Sequence, residues 1–291
     1  MKNLAFIGLG IMGGPIAGHL AAHGHSVKVF NRTTSRALDW LKKHGGEMAS
    51  TPAEAAHDAE FIFSCVGGDD DLKEVITGEH GALSGMRPGS ILVDHSTVSA
   101  QISMELGDIC AENKFGFLDA PLSGGQKGAE DGELSIMCGG EAIHFEKAKP
   151  IISSYAKRLV HMGNTGSGQL TKMVNQICIA GILQGLAEGL AFASNANLDF
   201  PKVLEAIGNG AAGSWQMHNR SHTMAEDSFE FGFAVDWMRK DLAICLQEAE
   251  TNGSDLPVAS LVNKFYAEIQ NMGGNRWDTS SLIRRLPRKN Y

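Results

Sequence analysis

The sequence predicts an α/β protein: a doubly wound, largely parallel sheet in the N-terminal half, followed by an all-α C-terminal domain that opens on one long helix. Three observations support this. Short apolar runs alternate with helical patterns up to about residue 140, and such alternation implies parallel pairing through right-handed crossovers. A glycine-rich turn follows the first apolar run directly and leads into a helical pattern. Beyond Gly168 the β-rich runs stop and long helical patterns dominate.

Residues 4–7 read as a buried strand, 15–23 as a helix, 26–30 as a second strand and 35–44 as a second helix. Further strands are expected at 61–66, 90–94, 115–120 and 134–138. The segment Gly163-Asn164-Thr165-Gly166-Ser167-Gly168 is the natural joint, which divides the chain into domains 1–163 and 164–291. The long helix spans about 169–195; it is apolar on most sides and is expected to be largely buried. Helices around 201–208, 237–252 and 257–272 follow, with Pro201 and Pro257 suited to first-turn positions. The tail after Asp278, with Arg284, Arg285, Arg288 and Lys289, reads as a short exposed basic end.

The chain has 291 residues, of which 43% are hydrophobic, enough for a substantial core in one large or two ordinary domains. A net charge of −8 argues against a nucleic-acid-coating surface, which would be basic. The five cysteines are scattered, without a C-x-x-C pair, and read as buried free thiols of a reducing compartment. The eleven histidines show no ligand spacing, so no metal is expected. Early glycines interrupt the N-terminal apolar run, unlike a signal peptide. The apolar stretch 177–193 contains Gln184 and Glu188, which suits a soluble helix better than a membrane span. These points together suggest a cytoplasmic protein that binds neither membrane nor nucleic acid.

The glycine-rich turn Gly8-Leu9-Gly10-Ile11-Met12-Gly13 matches G-x-G-x-x-G. Its position between a strand and a helix makes it a dinucleotide-binding signature of the Rossmann type. Gly8 permits the tight turn, Gly10 lets the backbone approach a pyrophosphate, and Gly13 lets helix and strand pack closely. The helix start then presents free N–H groups and its positive dipole end to the anion. An Asp or Glu at the end of the second strand would bind the ribose 2′-hydroxyl and repel a 2′-phosphate. This chain has Asn31-Arg32-Thr33 there. Asn31 brings no charge, Arg32 can clamp a phosphate and Thr33 can donate a hydroxyl. The reading is NADP(H), with NAD(H) possible but weaker.

Two further segments suggest a substrate site. Asp119-Ala120-Pro121-Leu122-Ser123-Gly124-Gly125 lies just past a strand, where open α/β sheets place ligands. Ser123 offers a hydroxyl, and Gly124 and Gly125 can expose backbone N–H groups to a carboxylate. Gly166-x-Gly168-x-x-x-Lys172-x-x-Asn175-Gln176 opens the long helix, so Lys172, Asn175 and Gln176 share one helical face. Taken alone, Lys172 reads better as a surface lysine that snorkels to solvent.

Together these motifs resemble the β-hydroxyacid dehydrogenase family, which includes 3-hydroxyisobutyrate dehydrogenases, tartronate semialdehyde reductases and glyoxylate/succinic semialdehyde reductases. The resemblance covers essentially the whole chain and extends to Lys240-Asp241-Leu242 and Asp278-Thr279-Ser280-Ser281. It implies that Lys172 is the catalytic lysine and that Ser123, Gly124 and Gly125 hold the substrate carboxylate. Asn175 falls in the substrate-orienting stretch; with Asn175-Gln176 where some members have Asn-Asn, either amide could touch substrate. Lys240 matches a lysine close to both nicotinamide and substrate. Thr97, after Ser96, matches a cofactor contact. Val66 and Gly67 align with another, although many relatives have Leu-Pro there.

The implied chemistry is reduction of a small carboxylate-bearing aldehyde, or oxidation of the matching hydroxyacid. The nicotinamide exchanges the hydride and Lys172 exchanges the proton. A free lysine titrates near 10.4; burial and a cation such as Lys240 would lower that value. Asp119 reads as a strand-end structural residue and Asp241 as a partner for a lysine or its own helix. Trp215 and the phenylalanines of the segment 229–233 either line a substrate pocket or pack a core. An imine reductase-like enzyme, which commonly replaces this lysine, and a non-enzymatic NADP-binding interaction module are the alternatives. The long apolar helix suits a homodimer or homotetramer.

Overall fold

The computed structural model describes residues 1–289. Two compact units divide the chain, the first from Met1 to Lys172 and the second from Met173 onward. The first unit opens with β1 (Asn3–Ile7), α1 (Gly13–Ala22), β2 (Ser26–Phe30), α2 (Thr34–His44), β3 (Glu47–Met48), α3 (Pro52–Ala56) and β4 (Phe61–Ser64). It continues through α4 (Asp69–Thr77), β5 (Ile91–Asp94), α5 (Ala100–Glu112), β6 (Gly116–Asp119), β7 (Leu122–Ser123), α6 (Gly125–Asp131), β8 (Leu134–Gly140), α7 (Ala142–Ile152) and β9 (Ala156–Gly163).

The six strands β3-β2-β1-β4-β5-β6 lie in that order and are parallel throughout. This is the doubly wound arrangement, and its order reverses between β1 and β4, the switch point where such sheets bind ligands. Helices cover both faces, so the central strands are buried at nearly every position instead of alternating. Phe6, Val29, Phe63 and Val93 fill one face, while Ala5, Ile7, Ile62 and Leu92 fill the other.

Beyond β6 the sheet departs from the parallel pairing expected for the strand at 134–138. β8 runs antiparallel to β6 and β7, and β9 pairs with β8 in parallel. The sequence reading missed β9. Its segment Ala-Lys-Arg-Leu-Val-His-Met-Gly sits at an edge with side chains no more than half-buried, so it lacks the apolar run that marks the central strands.

The helix α8 (Ser167–Asn195) begins in the first unit and continues into the second, where α9 (Phe200–Ile207), α10 (Trp215–Ala225), α11 (Val235–Asn252) and α12 (Pro257–Asn271) follow. Ala180, Leu183, Ala187 and Leu190 form a stripe at helical spacing that packs with Met238, Leu242, Val262 and Tyr266. The expectation of a largely buried helix holds in part: Met173, Leu186, Ala191 and Ala193 are buried beside that stripe. Val174, Cys178, Ile182 and Phe192 are exposed, Phe192 to 72%. α8 passes a length-and-composition test for a membrane span, with less than half of its most apolar window buried. α10 was not anticipated; Ser214 caps it by accepting from the Met217 N–H, a polar start signal in a sequence with little helical amphipathicity.

The C-terminal tail corrects another expectation. Residues Thr279–Arg285 form a 3-10 turn in which Thr279, Ser280, Ser281, Leu282 and Ile283 are buried. Asp278, 1% exposed, is the reason: its carboxylate accepts from the Ser280 N–H and hydroxyl and from the Phe233 N–H, and it pairs with Arg220 at 3.2 Å. Arg220 in turn stacks on Trp215 and Phe231. The basic residues are tied down as well, Arg285 to Glu268 and Arg288 to Asp227. Removing one member of a buried, hydrogen-bonded ion pair costs about 3–5 kcal/mol because the other charge is left uncompensated. Asp278→Ala is therefore expected to lower unfolding stability by about that amount in urea titration; a loss under ~1 kcal/mol would contradict the role given to this carboxylate.

Candidate functional site

The glycine turn joins β1 to α1 at the switch point. Gly8 has φ +96°, and a Cβ there would lie 2.3 Å from the Cys65 carbonyl oxygen. A Cβ on Gly13 would lie 2.0 Å from the Gly8 carbonyl oxygen and 2.9 Å from the Phe6 ring. Both glycines are thus required for the turn to close against β1 and β4. Gly10 differs, with open space around its Cβ position, as expected where a ligand is to approach the backbone. Ile11 is 54% exposed, and Met12 holds the N-cap position of α1.

Asn31 does more than bring no charge. Its side-chain oxygen accepts from the Leu9 N–H at 2.8 Å and its amide donates to the Thr33 carbonyl at 2.9 Å, which ties the glycine turn to the end of β2. A carboxylate could accept the first bond but could not donate the second. Arg32 and Thr33 are exposed beside the start of α2. The Arg32 guanidinium pairs with Asp71 at 3.0 Å on the surface. Arg36, one turn into α2, is an exposed cation that the sequence reading left out; its place in the first turn was the available signal. It borders a groove of about 860 Å³ that also touches Leu9, Gly10 and Trp40.

At the carboxyl ends of β4 and β5, Val66 donates its N–H to the Ser96 hydroxyl at 2.9 Å. Ser96 and Ser64 both donate to Asp94 Oδ1, and the Ser96 N–H joins them. The turn holding Val66 and Gly67 and the turn holding Ser96 and Thr97 are thereby bound together below the switch point. Next to them, His95 is buried. Its Nδ1 lies 2.7 Å from the Ala120 carbonyl and so must donate; Nε2 then accepts from Tyr155 at 2.8 Å.

Asp119, at the end of β6, is fully buried, and its carboxylate faces the start of α8. Oδ1 accepts from the Gly166 N–H at 2.8 Å and Oδ2 from the Gln169 N–H at 2.9 Å. These are N–H groups that the helix cannot satisfy itself, and a negative charge there complements the helix dipole. The fit is tight: a Cβ on Gly139 would lie 2.4 Å from Oδ1, and one on Gly168 would lie 2.7 Å from Oδ2. The sequence reading of Asp119 as structural stands, but its partner, the first turn of α8, was not foreseen.

One turn further along α8 is Lys172, only 8% exposed. Ser123 is half-buried, and Gly124 and Gly125 are exposed with φ +132° and +63°. Both conformations strain any residue with a Cβ.

In the second unit, Asn175, Gln176, Asp241 and Lys240 form a chain. The Asn175 amide donates to Gln176 Oε1 at 2.8 Å, Gln176 Nε2 donates to Asp241 Oδ2 at 2.6 Å, and Asp241 Oδ1 pairs with Lys240 at 3.1 Å. Gln176 is 2% exposed and has both ends of its amide engaged, while Asn175 is half-buried. Trp215 and Phe233, candidate pocket residues, are 59% and 37% exposed, whereas Phe229 belongs to the core.

Burial dominates the titration of this region. It pushes the Asp94 carboxyl up to about 7, despite bonds from Ser96 and Ser64 that favour its charged form, and the Asp119 carboxyl up to about 6. It pulls His95 down to about 4. The signs oppose. A raised carboxyl contributes stability that is full below its unfolded value near 4 and is lost as pH rises through 6–7. A lowered histidine contributes stability that is lost as pH falls from about 6.5 towards 4. Above pH 6.5 the carboxyls alone are still changing. Asp94→Asn keeps an oxygen for the two serines but cannot ionise, so it is expected to flatten the fall in melting temperature between about pH 6 and 7, the part of the window that the histidine opposes least. A slope equal to that of the unaltered protein would contradict the assignment.

Comparison with known proteins agrees with this fold. Residues 3–163 match the family model of the NAD-binding domain of 6-phosphogluconate dehydrogenase, and residues 166–286 match that of the NAD-binding region of NADP-dependent 3-hydroxyisobutyrate dehydrogenase. An uncharacterised oxidoreductase of Shewanella frigidimarina is 57% identical, with 98% of each chain covered. The 2-hydroxy-3-oxopropionate reductase of Escherichia coli is 34% identical over 98% of this chain and 97% of its own. Among solved structures, the 3-hydroxyisobutyrate dehydrogenase of Mycobacterium tuberculosis with L-serine superposes with a TM-score of 0.90 at 26% identity, covering 98% of this chain and 99% of that one. A glycine turn built for a dinucleotide at the switch point and matches over nearly the whole length lead to one conclusion: this chain is an oxidoreductase of the β-hydroxyacid dehydrogenase family, with a Rossmann domain that binds a nicotinamide cofactor.

Proposed function

We propose that the protein reduces a small carboxylate-bearing aldehyde with NADPH, or oxidises the matching β-hydroxyacid with NADP, and that Lys172 is the general acid and base. The observation behind this reading is a buried lysine on a helix whose first turn is anchored to the carboxyl end of the sheet by Asp119. The relatives support the substrate class, since one is named for a hydroxy-oxo acid and another for a β-hydroxyacid.

The nicotinamide, when bound, supplies or accepts the hydride. The chain's own groups do the rest. Ser123 and the backbone of Gly124 and Gly125 hold the substrate carboxylate. Lys172 donates a proton to the carbonyl oxygen as it becomes an alkoxide, and takes it from the alcohol in reverse. Asn175 is assigned to orient that oxygen, because the Gln176 amide is already engaged at both ends and serves to hold Asn175 and Asp241. Lys240, fixed on Asp241, adds positive charge towards the substrate and cofactor. Gly8, Leu9, Gly10, Ile11, Met12 and Gly13 form the pyrophosphate turn, while Val66, Gly67 and Thr97 contact the cofactor further along. A lysine in this position also sets the reading apart from an imine reductase-like activity or a non-catalytic NADP-binding module, neither of which calls for it.

NADP preference rests on the absence of a carboxylate at the end of β2. Arg32, Thr33 and Arg36 surround the start of α2 instead. The exposed Arg32–Asp71 pair is worth about 1 kcal/mol or less, so a 2′-phosphate competes readily for the guanidinium. The exposed apolar residues of α8 are the support for a homodimer or homotetramer, in which a second subunit would cover them.

The test is NADPH oxidation at about 340 nm against glyoxylate, succinic semialdehyde, methylmalonate semialdehyde and tartronate semialdehyde, with NADH in parallel. Turnover of at least one substrate is expected, with a higher kcat/KM for NADPH than for NADH. Lys172→Ala is expected to reduce kcat by about 100-fold or more, the scale of general acid–base catalysis, while NADPH still binds. Turnover near the unaltered level in Lys172→Ala would remove the lysine from the mechanism.

A further inference from the structure

Gln169 sits one turn before Lys172 on α8 and is completely buried. Both ends of its side chain are engaged, and neither partner is in the helix. Nε2 donates to the Ser96 carbonyl at 2.8 Å, and Oε1 accepts from the Val98 N–H at 3.2 Å. The amide thus clips onto the two backbone groups that flank Thr97. Its own backbone N–H donates to Asp119 Oδ2. From Ser96 the connection continues, because the Ser96 hydroxyl accepts from the Val66 N–H and donates to Asp94.

A buried amide needs both a donor and an acceptor partner, and here both come from one turn outside the helix. An amide presents a donor and an acceptor in one plane, and here the flanking carbonyl and N–H of a single turn match it. The turn is the one assigned to the cofactor, and the helix is the one that presents the lysine. We propose that Gln169 is a positioning residue: it locks the first turn of α8 to the Ser96–Val98 turn and so fixes the distance between Lys172 and the reacting end of the bound cofactor. The proposal rests on the reading of Lys172 as the proton-transfer group.

Gln169 touches no reacting atom, so its loss should leave binding almost unchanged and slow the chemical step. Displacement of a catalytic group by about 1 Å can cost on the order of 100-fold in rate. The experiment uses the full-length protein and the panel aldehyde with the highest kcat/KM. Gln169→Glu keeps the length and the acceptor but loses the donor to Ser96. Gln169→Met keeps the volume and loses both bonds. Each is expected to lower kcat about 10- to 100-fold, with the NADPH dissociation constant and the substrate KM within about threefold. The primary isotope effect with NADPH deuterated at C4 should rise towards its full value in both, because hydride transfer becomes rate-limiting. A merely structural role would instead lower the amount of active enzyme and leave the isotope effect unchanged.

If both variants turn over like the unaltered protein while Lys172→Ala is inactive, the positioning role is wrong and the lysine reading stands. If Lys172→Ala itself turns over normally, the lysine reading falls first and this inference with it. Loss of NADPH binding in both variants would also overturn the proposal, because it would make Gln169 a determinant of the cofactor site itself.

Discussion

The structure depends on one buried carboxylate. Asp119 ends the last parallel strand and accepts two N–H groups from the first turn of α8. A helix start leaves such groups without partners inside the helix, so a buried negative charge finds donors there. The arrangement fixes the first turn of α8, just ahead of Lys172, against the end of β6. Gly139 and Gly168 are glycines because a Cβ on either would occupy the space of the Asp119 side chain. A motif written as separate conserved-looking pieces, Asp119 to Gly125 and Gly166 to Gln176, is physically a single joint.

The polar layer around that joint is unusual in its degree of burial. Asp94, His95, Ser96, Asp119 and Gln169 are all at most 2% exposed. Burying so many polar groups is tolerable only when nearly every one finds a partner, and the partners here are mainly the backbone of the turns that follow β4, β5 and β6. Regular sheet structure ends at those turns, so their N–H and carbonyl groups are available. The consequence is a set of turns braced against one another after β4, β5 and β6.

The sheet and the glycine turn were legible in the sequence because their signals are local. An apolar run, a G-x-G-x-x-G and an uncharged Asn31 can be read within thirty residues of one another. The helix α10, the strand β9 and the buried C-terminal turn show where that logic stops. β9 is an edge strand with charged, half-buried residues, and its identity comes from pairing with β8. The tail looked like an exposed basic end because Arg284, Arg285 and Arg288 dominate its composition; it is held instead by Asp278, Asp227 and Glu268, partners that no local pattern reveals. Lys172 was legible as a residue of interest through its helical spacing and the family resemblance. Its support by Asp119 and Gln169 was not, since those contacts join residues about fifty and seventy positions apart in the chain.

The account's central claim is that the lysine held by this joint exchanges the proton of the reacting oxygen. A crystal structure of the protein with NADP and the best β-hydroxyacid tests it most directly. The account predicts Lys172 Nζ about 2.6–3.2 Å from the substrate hydroxyl, with the substrate carboxylate on Ser123 and the Gly124–Gly125 backbone. A different side chain at hydrogen-bonding distance from that hydroxyl, with Lys172 turned away, would contradict it.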